Sequence, residues 1–169
     1  MKKTIHIILA LFAVAFITGC AGTSPKAHFT RPLAAGTKVC AGDYVTAKVT
    51  AAPGVPALSH DCTRIEGQIV AKVAGAASSS EHPLRNYTVE VTLTRYDKGN
   101  AFARGMLAGL GQIHIDGSAR LYELPSRRLL AEFTASKTFA WGGAYGMAVR
   151  IEDIEETFAD IIANAVAGK

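Results

Sequence analysis

Hydrophobic and polar positions follow three different rhythms along this chain. In "RNYTVEVTLTRYD", Tyr87, Val89, Val91 and Leu93 alternate with Thr88, Glu90, Thr92 and Thr94, the period of a strand buried on one face. "QIHIDGSARLYEL" and "RLLAEFTASKTFAW" alternate likewise, through Ile113, Ile115, Ala119 and Leu121 and through Ala131, Phe133, Ala135 and Phe139. With Pro125-Ser126 between them they predict a β-hairpin turning between Leu124 and Arg127, and a bulge where the phase breaks at Leu129-Leu130. A looser alternation in residues 38–51 predicts one or two short strands.

The second rhythm is helical. Ile65, Ile69, Val70 and Val73 recur at three and four residues, predicting a helix capped by Ser59 or Asp61 and running to about Ala74. Near the C-terminus, Ile151, Ile154, Phe158, Ile161, Ile162 and Ala165 make an apolar stripe, with Glu152, Asp153, Glu155, Glu156 and Asp160 on the other face and toward the positive end of the helix. The third rhythm is none at all: "YDKGNAFARGMLAGLGQ" and "WGGAYGM" mix glycine with large apolar residues. The order is strand, helix, strand, glycine cluster, two strands, glycine cluster, helix. It predicts an α+β two-layer sandwich, an antiparallel or mixed sheet with two main helices packed on it.

The glycine clusters allow three uses. Their glycines can serve a turn while Phe102, Met106, Leu107 and Leu110 fold back onto the core. They can let a backbone come close to a partner, or the apolar side chains can dip into a bilayer, with Arg104 on its phosphates. If the clusters adjoin, Phe102, Met106, Leu107, Leu110, Trp141 and Tyr145 form one candidate contact surface.

The N-terminus sets the compartment. Lys2 and Lys3 precede the apolar run "TIHIILALFAVAFITG", the layout of a secretory signal peptide over residues 1–19. Ile17-Thr18-Gly19-Cys20 resembles the bacterial lipobox, which implies diacylglycerol and an N-acyl chain such as palmitate on Cys20, a stronger membrane attachment than one chain gives. Ala21 in place of aspartate implies the outer membrane, with the domain facing the periplasm. Residues 20–37, small, polar and with two prolines, read as a flexible lipidated tether, and residues 38–169 as a single domain.

Without Lys2 and Lys3 the chain keeps 16 of its 18 Lys+Arg against 14 Asp+Glu, a formal charge of +2, too slight for a nucleic-acid partner. In an oxidising compartment Cys40 and Cys62 are expected to pair, closing a loop of about 22 residues worth about 3 kcal/mol.

Residues 86–167 carry a further signal. Tyr96, Asp97, Gly99 and Asn100, the glycine-rich apolar patch after them and the late glycine cluster before an acidic helix resemble the bacterial lipoproteins grouped as domain of unknown function 4410. That resemblance implies a fold and no catalytic residues.

Catalytic signatures do not emerge. There is no GxSxG elbow, and the Gly109-x-Gly111 pair lacks the lysine and helix of a phosphate loop. His114 and Asp116 share a strand face and could share a cation or a proton. His60-Asp61-Cys62 is a compact cluster, yet no fourth zinc ligand accompanies it. The expectation is a non-enzymatic lipoprotein without metal or cofactor beyond its acyl groups, bound to the membrane by Cys20 and contacting an envelope protein or itself. The alternative is a carrier of a small apolar or lipid ligand.

Overall fold

The computed structural model describes residues 27–79, 83–107 and 109–169, so Cys20 and the signal segment lie outside the described residues. Five strands, β1 (His28–Arg31), β2 (Tyr44–Ala51), β3 (Asn86–Asp97), β4 (Ile113–Leu124) and β5 (Arg128–Phe139), form one sheet in the order β1-β5-β4-β3-β2. From β3 to β5 it is the antiparallel meander that the alternation predicts. β2 instead lies parallel to β3, Tyr44 opposite Asn86 and Ala51 opposite Leu93, so the sheet is mixed. A parallel pair needs a crossover, and α1 (Ser59–Ala76) supplies it. Two short helices, α2 (Ala101–Met106) and α3 (Gly143–Ala148), occupy the glycine clusters, and α4 (Ile151–Val166) follows.

α1 and α4 pack on each other and on one face of the sheet, α1 over β2 and α4 over β4 and β5. The core forms between them from the alternating residues, Val89, Val91, Ile113, Ile115, Leu121 and Phe133 among them, and from the whole predicted stripe of α4. The other sheet face carries hydroxyls and charges, including Arg120 Nε to Glu132 Oε1 at 2.7 Å and Arg127 Nη2 to Glu90 Oε1 at 2.8 Å. Two layers, one of them solvated on its outer side, follow from the period-two pattern. The β4–β5 register slips between Leu121 and Tyr122 and leaves Leu130 without an opposite residue, the bulge read from the phase break. At the β2 edge, Glu66 Oε1 accepts the Val49 N–H at 2.8 Å, so a side chain of α1 satisfies a group that an edge strand leaves open.

Four sequence expectations need correction. The stretch read as tether contains β1, which pairs with β5 and sets the Phe29 ring 5.2 Å from that of Phe133. α1 is capped neither by Ser59 nor by Asp61: the cap position is Leu58, whose N–H is bound by the Asp61 carboxylate from one turn inside the helix, at 3.0 Å. Glu155 does not belong to the solvated face of α4 but is fully buried.

The predicted disulfide is not formed, since Cys40 and Cys62 are both free and buried. Cys62 sits in the first turn of α1, whereas Cys40 bridges to Ser78, beyond the helix's far end. The 14 residues from Cys62 to Ala76 rise about 21 Å, several times the Cα separation a disulfide permits.

Candidate contact surface

The segment starting at Tyr96 builds the site from the end of β3 outward. Tyr96 points into the core, and its hydroxyl donates to the Glu155 carboxylate of α4. Arg64 of α1 grips the same carboxylate through Nε at 2.6 Å and Nη2 at 2.7 Å, and reaches Asp61 Oδ1 at 2.8 Å. Lys98 Nζ lies 3.3 Å from Asp61 Oδ2. Two cations thus face two buried carboxylates, the balance that buried charges require. Burial by itself pushes the Asp61 carboxyl up, but the Leu58 N–H, Arg64 and Lys98 outweigh it and hold the group at about 2. Burial and the Glu155 carboxylate push the Tyr96 phenol far above its ordinary range. The cluster ties β3 to both long helices, and neither Asp61 nor Tyr96 exchanges a proton near neutral pH.

The chain then turns. Gly99 has φ +63°, and a Cβ there would overlap the carbonyl oxygens of Gly111 and Gln112. Asp97 Oδ1 accepts the Gly99 N–H at 2.8 Å, and Asn100 Oδ1 accepts the Ala103 N–H at 2.9 Å, capping α2. The Tyr-Asp-Lys-Gly-Asn element is therefore structural: its tyrosine anchors, its aspartate and glycine turn, and its asparagine starts the helix.

Arg104 joins the two glycine clusters. It is 3% exposed and donates from Nη1 to the Gly111 carbonyl at 2.8 Å, from Nε to that of Gly146 at 2.9 Å and from Nη2 to that of Val149 at 2.9 Å. The guanidinium fork fits three carbonyls at once. It is consumed inside the protein and does not face phosphates, which corrects the expectation for this residue. Around it Met147 packs into the notch at Gly105, and Gly146 comes so close to Trp141 that a Cβ would overlap the Trp141 carbonyl oxygen. Tyr145 lies edge-on to Phe139, ring centroids 5.8 Å apart.

The clusters accordingly adjoin, with α2 packed on α3 at the end of the sheet where β3 and β5 finish and β4 begins. The outer side of this crest is apolar. Of the eleven large apolar residues standing exposed among the described residues, seven belong to it: the six predicted contact residues Phe102, Met106, Leu107, Leu110, Trp141 and Tyr145, joined by Met147, each 50–69% exposed. They do not fold back onto the core, which overturns the reading of the first cluster as a turn alone. Single exposed hydrophobics are ordinary, but such a concentration is not.

The polar candidates come apart. His114 Nδ1 lies 2.9 Å from Thr138 Oγ1, while Asp116 accepts from the Ser136 hydroxyl, so each has its own cross-strand partner. His60 touches Asp61 at 3.4 Å, but Asp61 is engaged by Arg64 and Lys98, and burial pushes the Cys62 thiol up, away from the thiolate a metal needs. Among the described residues no group of three or more His, Cys, Asp or Glu could hold a metal ion, and no helix is long and apolar enough to cross a membrane. A groove of about 350 Å³ opens between the start of β2 and the last turns of α1, lined by Val39, Val45, Val70, Val73 and Ala77.

These features define a class, a small α+β sandwich that presents an apolar crest from two glycine-rich insertions. Residues 56–143, more than half of the chain, match the family model described as Domain of unknown function (DUF4410), and the chain belongs to that family. No curated protein matches it. Its fold is similar to two solved structures of PelC from Paraburkholderia phytofirmans, both described as dodecamers. One, a point variant, has a TM-score of 0.52 at 9% identity, covering 83% of this chain and 98% of that chain. The other has a TM-score of 0.51 at 12% identity, covering 82% and 97%. A Xanthomonas campestris protein of family DUF330 aligns with a TM-score of 0.49 at 14% identity, over 87% and 97% of the two chains.

Proposed function

We propose that this protein is a non-enzymatic, lipid-anchored module of the cell envelope that works by contact and assembly, with the crest as its working surface. The crest carries the reading: seven large apolar side chains stand in water on a scaffold pinned by a buried arginine. The cluster around Glu155, whose polar groups are engaged with one another, supports a role without proton transfer, and the dodecamers described for PelC support association of copies. Cys20 and its lipobox support acyl anchoring, and Ala21 supports the outer membrane. Cys20→Ser is expected to abolish labelling by radioactive palmitate, and persistent labelling would refute the anchor.

Sedimentation of the soluble fragment from Ala21 tests the assembly reading. Its mass should rise above the monomer with concentration, and Leu107→Asp should lower it. A strict monomer, unchanged by the substitution and unaided by envelope extract, would overturn self-assembly and protein contact alike.

The groove between β2 and α1 favours a second reading, a carrier of a small apolar or lipid ligand. Lipid co-purifying in native mass spectra, and lost on Val73→Asp, would establish it.

A further inference from the structure

We propose that the crest docks on the lipid bilayer that holds Cys20, with Leu107, Met106 and Phe102 at its surface and Trp141 and Tyr145 at the headgroup level. This rests on the crest being a contact surface and on Cys20 being the anchored residue, and it names what covers the crest in the anchored protein; the soluble fragment, with no bilayer present, leaves the same surface to association of copies. The register of β1 decides the direction. His28 lies opposite Thr134 and Phe29 opposite Phe133 in an antiparallel pair, so β1 runs away from Phe139 and enters the sheet from the end that bears the crest.

Chain length decides the distance. Eight residues take Cys20 to His28, a reach of at most about 28 Å. The five residues from Thr134 to Phe139 use about 17 Å of it in reaching the end of β5. About 11 Å remains, the diameter of one helix with its side chains, and α2 and α3 stand on that end of the sheet. Continued along β1, that length brings acyl chains on Cys20 to a bilayer lying at this end of the domain.

The composition of the crest fits that position. No acidic residue occurs between Asn100 and Gln112 or between Phe139 and Val149, while Lys98 and Arg150, both exposed, bracket the two segments. Within the two segments no carboxylate opposes anionic headgroups. Trp and Tyr rings favour the interface because one end of each is polar.

Trp141 is the chain's single tryptophan, so its fluorescence reports the crest alone. The acylated protein would be reconstituted in vesicles of phosphatidylethanolamine and phosphatidylglycerol, with and without brominated acyl chains. The expected result is a blue-shifted emission, quenched by bromolipid and shielded from aqueous acrylamide. Met106→Asp with Leu107→Asp should keep the protein on the vesicles through Cys20 but abolish bromolipid quenching. Shielding from acrylamide without bromolipid quenching would overturn the proposal in favour of a protein partner, leaving the contact reading intact. Emission open to acrylamide and untouched by bromolipid would overturn both.

Discussion

Glu155 shows how one residue holds three elements. It takes Arg64 of α1 and Tyr96 of β3 from its place on α4, with no exposure to water. Glu155→Ala leaves the guanidinium and the phenol facing an empty site and is expected to cost about 3–5 kcal/mol. Tyr96→Phe removes one neutral donor and should cost about 1 kcal/mol. Urea unfolding midpoints compare them, and equal losses would contradict the cluster's central role for the carboxylate. Asp61 makes the cluster acid-sensitive. Its carboxyl is held at about 2 rather than the ordinary 3.8, so its contribution is complete above about pH 4 and disappears as pH falls through 2. That contribution is about 2 kcal/mol. Asp61→Asn should flatten this part of the stability curve between pH 4 and pH 2. The thiols give a simpler check: Cys40 and Cys62 should both react under denaturing conditions without reductant, and their absence from the titration would restore the disulfide.

At the scale of elements, the crest depends on close approach more than on burial. Gly146 lies against the Trp141 carbonyl and Arg104 reaches the Gly146 carbonyl, so Gly146→Ala should push α3 away and release the guanidinium. The expected signature is a loss of Trp141 docking with far-UV dichroism nearly unchanged, because the sheet, α1 and α4 do not pack through this contact. A collapse of the whole fold would contradict this independence. The elements differ in how far the sequence disclosed them. β3, β4, β5 and α4 carry long periodic patterns, and the residues the periods name are buried, though Glu155, which the period sets on the solvated face of α4, is buried with them. β1 has four residues and one large apolar side chain on an edge, too little for a period. Parallel pairing of β2 is a matter of topology, visible only once α1 crosses over. The six exposed residues of the crest were legible because glycine and large apolar residues together fit neither a surface loop nor a core element. Arg104 was not, since a lone arginine among small residues reads as surface until three carbonyls close around it. The Arg64–Glu155 pair joins residues 91 apart in sequence, beyond any spacing rule. The disulfide was inferred from compartment, and only the length of α1 shows how far apart its cysteines lie.

For the whole molecule, the arrangement is polar in the geometric sense. The crest stands at the end from which β1 enters the sheet, while the hairpin turn at residues 125–127 marks the other and the hydroxyl-rich sheet face lies along the side. Docked by the crest, the domain would hold that face away from the lipid, free for neighbouring proteins. The edge position of β1 adds a mechanical consequence. Antiparallel hydrogen bonds run across the strands, so a pull on the chain before His28 acts along β1 and loads its bonds to β5 together, in shear. Had the chain entered from the hairpin end, the same pull would have opened those bonds one after another like a zipper. A short edge strand, its register shifted once between Phe29 and Arg31, can in this way serve as the clamp through which a pull on the anchored chain reaches the whole sheet.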